Sequence, residues 1–254
     1  MKKNQISAQL FTLRDFLKTP EDIAASLKKV KQIGYDAVQV SGMGPIAEEE
    51  LVKILDGEGL ICCATHEPGG KIVNETAAVI ERLSKLNCKY TAYPFPHKVP
   101  ESEAEAVGIA QQLENAAVAM AAAGKVLTYH NHATEFAKFG GRTMLDIFYD
   151  EAPHLQAELD TFWVQHGGGN PVSWIRKLSG RLPLLHLKEF GILDSKITMY
   201  HLGGGNLEWD VIIPAADSSG VEWFIVEQDN CLLDPFESLK LSFEYLVSNH
   251  ADKS

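Results

Sequence analysis

Short apolar runs alternate along this chain with longer stretches of helical periodicity, and the alternation repeats eight times. The runs predict strands at 6–11, 35–40, 60–65, 89–93, 126–130, 155–160, 182–187 and 222–226. Between and after them, residues 20–33, 45–58, 74–86, 101–123, 143–151, 171–178, 209–218 and 234–248 read as helices. The breaks are chemical. Thr19-Pro20-Glu21-Asp22 offers a capping hydroxyl, a proline for the first helical position and acids for the first turn, while Gly34, Gly59 and Gly124 stop the helices before them. Short connections without a low-complexity linker then predict an α/β fold, a TIM (β/α)8 barrel in one domain over residues 1–254. An open doubly wound sheet is the alternative, but no GxGxxG follows the first strand.

Composition narrows the function classes. The formal net charge of −11 opposes long-range attraction to phosphate backbones or anionic membranes, so neither nucleic acid nor a membrane is an expected partner. Lys2 and Lys3 are followed by no apolar targeting run, which predicts a soluble, cytoplasmic protein. Cys62, Cys63, Cys88 and Cys231 lack metal-finger or framework spacing and are expected to be reduced.

The chemistry gathers around Thr128-Tyr129-His130-Asn131-His132-Ala133-Thr134-Glu135-Phe136, where an apolar run gives way to two imidazoles, an amide and a carboxylate. If the strand reaches His132, residues at i and i+2 share a face, so His130 and His132 point together and Asn131 points away. Glu135 lies in the loop beyond, within reach of the strand end. Imidazole and carboxylate donors suit zinc, manganese or iron better than calcium or magnesium. A pair of hydrogen-bonded structural histidines is the plainer alternative for this stretch alone.

Other predicted strand ends carry similar residues: Gln9 and Arg14, Gln39, His66 and Glu67, His97, Asp160, His186 and Lys188, Glu227 and Asp229. In a TIM barrel those ends and their loops form the functional face, and one rim so rich in ligand-type residues is the strongest argument in the sequence. Asp160 also suits a helix cap, with Trp163 placed as a sugar-ring platform; His186 could be a satisfied core histidine. Lys188 shares the face of His186 and could stabilise an oxyanion or pair with Glu189 or Glu227. Gly203-Gly204-Gly205-Asn206 is a weak phosphate-cradle candidate, and a flexible active-site loop is the better expectation.

These residues resemble the xylose isomerase-like TIM barrels, the sugar phosphate isomerase/epimerase superfamily. The matching segments are 8–15, 129–132 with Glu135 and Phe136, 158–160 with Trp163, 185–189, 203–206 and 226–229. The resemblance implies one divalent metal ion, manganese, zinc or similar, held by Asp160, His186 and Glu227. A fourth ligand would be Glu135 reaching back or His130 in its place. It implies proton transfer next to a metal-polarised carbonyl of a small sugar or related hydroxy-carbonyl, with Glu227, Glu135, His130 and Lys188 as the catalytic set. Gln9, Arg14, His66, His132 and Trp163 would then bind substrate. Loss of water or of an aglycone after the same proton abstraction (an inosose dehydratase-like or 3-keto-glycoside-cleaving enzyme) is the alternative reaction. A non-catalytic sugar-binding barrel is the alternative class. Related barrels often pair, which implies a homo-oligomer.

Overall fold

The computed structural model describes residues 1–252. Eight parallel strands close into a barrel: β1 (Ile6–Gln9), β2 (Ala37–Val40), β3 (Ile61–His66), β4 (Tyr90–Tyr93), β5 (Val126–His130), β6 (Gln156–Asp160), β7 (Leu184–Leu187) and β8 (Trp223–Val226). Each strand pairs with its neighbours in sequence, and β1 pairs with β8 to close the ring. The TIM barrel expected from the alternation is what the chain forms. No helix among the described residues is long and apolar enough to cross a membrane.

Strand periodicity sorts the side chains into two layers. One face of each strand, including Ala8, Val38, Tyr129, Leu159, Leu185 and Phe224, joins the large apolar core shared with the surrounding helices. The other face fills the barrel. At its lower end Ala37, Cys63, Ala64, Tyr90, Leu184 and Ile225 form a small apolar plug. Two residues further along the same strands stand Gln39, His186 and Glu227, so the plug is the floor on which the polar layer rests. A register shift at Val38/Gln39, where β2 meets β3, falls beside that layer. Cys62, Cys63, Cys88 and Cys231 are free thiols.

The differences from expectation are local. The first strand ends at Gln9 because its side-chain Oε1 accepts the Phe11 N–H, turning the chain into a 3-10 helix over Leu10–Phe16. The helix predicted over 74–86 is preceded by a separate one over Gly69–Asn74, the two divided at Glu75. After β7 the chain leaves the barrel as an antiparallel hairpin, Glu189–Leu193 with Lys196–Tyr200, which the alternating βα pattern did not reveal.

That hairpin leads into Gly203–Asn206, a loop built around a buried acid. The Glu189 carboxylate is fully buried and accepts the N–H groups of Gly203 and Leu207, each at 3.0 Å, together with Trp209 Nε1 at 2.5 Å. Gly205 is required by proximity, since a Cβ there would lie 2.5 Å from the Phe190 carbonyl oxygen and 2.6 Å from Glu189 Cγ. The expected flexible loop is therefore anchored from within. Removing a buried charged acceptor leaves several donors unpaired, so Glu189→Ala should destabilise the protein by about 3–5 kcal/mol. Urea denaturation checks this, and a loss under about 1 kcal/mol would be incompatible with the anchor.

Candidate functional site

The polar layer begins with β6, whose alternation puts Glu158 and Asp160 on one face, both fully buried. Glu158 is the deeper. Its Oε2 accepts Gln39 Nε2 at 2.6 Å, while its Oε1 accepts His66 Nε2 at 2.5 Å and lies 3.0 Å from His186 Nε2 and 3.3 Å from His130 Nδ1. Gln39 Oε1 accepts in turn from His186 Nε2 and from Gln9 Nε2, at 2.7 and 2.8 Å. Gln9 thus lies beneath the site, orienting Gln39, and not on the cavity wall.

Above this, His186 Nδ1 donates to Glu227 Oε2 at 2.8 Å, and Lys188 Nζ reaches Glu227 Oε2 at 2.9 Å, Asp160 Oδ2 at 3.2 Å and Asp229 Oδ2 at 3.0 Å. The main chain of Lys188 is fixed by Thr161, whose Oγ1 accepts the Lys188 N–H and donates to its carbonyl at 2.9 Å. Asn131 Oδ1 accepts the Asp160 N–H at 3.0 Å, tying the end of β5 to the end of β6. Two overlapping groups result, each with one donor atom per residue, all within 4.8 Å of one another. They are His66, His130, Glu158 and His186 below, and His130, Asp160, His186 and Glu227 above.

Burial and mutual charge set the protonation states. Burial pushes Glu158 and Glu227 upward, but the neighbouring cations outweigh it, His186 and His66 for the first and Lys188 and His186 for the second, so both carboxyls stay well below their ordinary range. Burial pulls His186 down, yet Glu158 and Glu227 on either side hold it up at about 10. At His130 burial, helped by the neighbouring His186, outweighs Glu158 and holds the ring well below the ordinary imidazole value, and burial lowers His132 to about 4. Asp160 is raised to about 7, chiefly by burial, with Lys188 opposing and Glu227 adding to the rise.

The upper group fits a divalent cation. Its donors are imidazole nitrogen and carboxylate oxygen, the types that bind zinc, manganese or iron, and burial, with Glu227 adding to it, raises the Asp160 and Asp229 carboxyls against the opposing pull of Lys188. His130 Nδ1 and Asp160 Oδ2 are buried without a well-aligned hydrogen bond, the first lying 3.3 Å from Glu158 Oε1 and the second in ion-pair contact with Lys188 at 3.2 Å, His186 at 3.9 Å and His130 Nε2 at 4.0 Å. His132 Nδ1 and Trp163 Nε1 are unpartnered as well. The group opens onto a cavity of about 380 Å³ lined by His66, His130, His132, Lys188, Glu227 and Asp229 on its polar side.

Among the residues expected from the sequence, His130, Asp160, His186, Lys188 and Glu227 come together here, and His66 and His132 stand beside them. Glu135 does not join them. Its carboxylate accepts the Tyr129 hydroxyl and the His132 N–H, both at 2.8 Å, and Tyr129 lies on the outward face of β5, opposite His130. Tyr129, turned outward by the alternation that aims His130 inward, holds the Glu135 carboxylate away from the cluster in which it was expected as a metal ligand and proton-transfer group. Arg14 also stands off the cavity wall, donating to the carbonyls of Phe11 and Asp229 at 3.1 and 2.8 Å. Trp163 packs its ring on His132 at 5.1 Å and carries Lys188 Nζ 5.5 Å above its face, bracing those residues from behind. Glu158 and Gln39 are the functional-layer residues that the sequence reading undervalued, although the Glu158-Leu159-Asp160 spacing was the signal for the first.

The matching family model is the xylose isomerase-like TIM barrel, over residues 27–247. Among solved structures, a sugar phosphate isomerase/epimerase from Parabacteroides distasonis is 20% identical with a TM-score of 0.84, covering 98% of this chain and 96% of its own. An L-ribulose 3-epimerase is 16% identical with a TM-score of 0.72, covering 97% and 93%. A probable 3-DHS dehydratase involved in petrobactin synthesis, from Bacillus anthracis, is 14% identical with a TM-score of 0.74, covering 98% and 100%. At these identities the likeness shows the fold. No curated protein sequence matches the chain. The chain belongs to the xylose isomerase-like TIM barrel family, and the expectation of an enzyme of that superfamily stands with it.

The protonation pattern predicts how stability of the metal-free protein depends on pH. His186 is raised from about 6.5 in the unfolded chain to about 10, so its contribution is fully present below about 6.5 and is lost as pH rises towards 10. Glu158 and Glu227 are lowered, so theirs is present above about 4.5 and is lost as pH falls below it. Unfolding free energies from urea denaturation between pH 3 and pH 10 should fall at both ends, by on the order of a few kcal/mol. His186→Gln should flatten the alkaline limb; an unchanged limb would refute the assignment.

Proposed function

We propose that the protein is a divalent-metal-dependent isomerase or epimerase of a small sugar or related hydroxy-carbonyl compound, moving a proton at the carbon next to a carbonyl. One observation carries the reading: two carboxylates and two imidazoles converge within 4.8 Å of one another, and two of the four residues, His130 and Glu227, line the cavity. His130, Asp160, His186 and Glu227 would hold the ion, which when bound supplies a Lewis acid for the carbonyl and a template for neighbouring oxygens. Of the two candidates that the sequence offered for the fourth place, Glu135 and His130, this reading takes His130.

The chain's own groups move and balance the charge. Glu227 faces the cavity as an ionised carboxylate, suited to taking a proton from the substrate carbon. As that proton leaves, negative charge builds on the carbonyl oxygen, and Lys188, kept charged by Asp160, Glu227 and Asp229, faces it from the same wall. The proton returns to the same carbon from the other face in an epimerase, or to the neighbouring carbon in an isomerase. His66, on the opposite side of the cavity and fixed by Glu158, is placed to bind a hydroxyl and relay that proton.

Elemental analysis should find about one manganese, zinc or similar ion per chain after loading. Asp160→Ala and Glu227→Ala should lose it, and Glu135→Ala should retain it. In deuterium oxide the loaded protein should introduce deuterium at the exchanging carbon of a ketose or inosose, and Glu227→Gln should slow this by about 10²–10⁴-fold. A protein that binds no metal under any loading condition, or that exchanges no proton with any such compound, would sink the proposal.

A further inference from the structure

We infer that the cavity selects an uncharged, unphosphorylated sugar. The inference rests on the sugar-isomerase reading above and names its substrate class. Three carboxylates, Glu67, Glu227 and Asp229, line the cavity against a single ammonium, Lys188. That ammonium is already shared among Asp160, Glu227 and Asp229.

Two guanidinium groups stand nearby, and both are engaged elsewhere. Arg82 pairs with Glu67 and Glu48, and Arg14 is tied to two main-chain carbonyls behind the wall. A divalent ion held by Asp160 and Glu227 would offset charge at the closed end of the cavity. It would leave the rest of the lining unchanged, where Glu67 follows β3, Phe11, Pro68, Pro94 and Phe95 offer no side-chain donor, and Ser41 and Gly42 offer neutral groups and no cation. A phosphate on the far end of a sugar carries nearly two negative charges and calls for cationic donors, of which the lining holds none besides Lys188.

The loop that composition marked as a phosphate cradle gives an independent argument. Gly203 and Leu207 direct their N–H groups inward as such a loop would, but both are taken by the carboxylate of Glu189, with Trp209 Nε1 added. Of the other loop amides, those of Gly204 and Asn206 bond to the His201 and Phe190 carbonyls, which leaves Gly205 alone outside this set. The protein has filled its anion-binding turn with its own anion. What the far wall does present is Phe11 and Phe95, flat apolar faces suited to the C–H face of a neutral ring.

The test compares matched pairs on the manganese-loaded full chain by isothermal titration calorimetry: D-ribulose with D-ribulose 5-phosphate, and D-fructose with D-fructose 6-phosphate, at equal ionic strength. The free ketose should bind in at least one pair, with its phosphate ester weaker by about tenfold or more. Glu67→Gln should narrow that gap, because it removes a like charge and releases Arg82. A phosphate ester that binds as tightly as its free ketose, or more tightly, overturns the inference. Deuterium uptake measured on the same pairs keeps the two proposals apart. A free-ketose preference without exchange supports the selectivity and sinks the proton-transfer reading, and absence of binding by every sugar overturns both.

Discussion

The constraint on which this site depends is the burial of opposite charges in one barrel interior. Glu158 and Glu227 cannot both stay ionised away from water, with Asp160 beside them raised to about 7, unless cations lie against them. His186 between Glu158 and Glu227, and Lys188 against Asp160 and Glu227, are those cations. Once their positions are fixed, much else follows. Gln39 must be oriented by Gln9 so that its amide N–H faces Glu158 and its oxygen faces His186. Thr161 must fix the Lys188 main chain, and Asn131 must hold the start of the turn after β6. The apolar plug below serves the same end, since it keeps the charged layer at the open end of the barrel.

How much of this the sequence discloses depends on range. The eight strand–helix units are local patterns, and period, caps and glycine stops mark them well; the closed barrel follows from their number and order. Asp160, His186, Lys188 and Glu227 were legible because a charged or imidazole side chain at the end of an apolar strand is costly to bury without partners, so several such ends imply one shared polar layer. Glu158 was harder to see, because an acid one turn of the pleat deeper reads as decoration until β2, β3 and β7 bring Gln39, His66 and His186 to it. Those partners are far apart in sequence, and only closure of the barrel brings them together.

Glu135 fails for a different reason. Its distance along the chain from His130 permits it to fold back, but the direction of that return is set by Tyr129, whose hydroxyl lies on the outer face and captures the carboxylate. Local spacing cannot tell the two faces apart when a short turn intervenes. The hairpin after β7 was hidden likewise, because its strands pair only with each other and leave no mark on the strand–helix alternation.

Glycine-rich composition shows the limit of motif reading most directly. The amides of a turn such as Gly203–Asn206 form a field for an anion, and the physics does not specify whose anion it is. Here Glu189 sits fully buried at the base of the hairpin and takes those amides, which converts a binding motif into a fastening between the hairpin and the helix that begins at Trp209. The same turn on a chain with a neutral residue at 189 would leave its amides open to a ligand. The function of the loop is therefore decided outside the loop, by one acid fourteen residues before it in the sequence, at the point where the barrel strand has already ended.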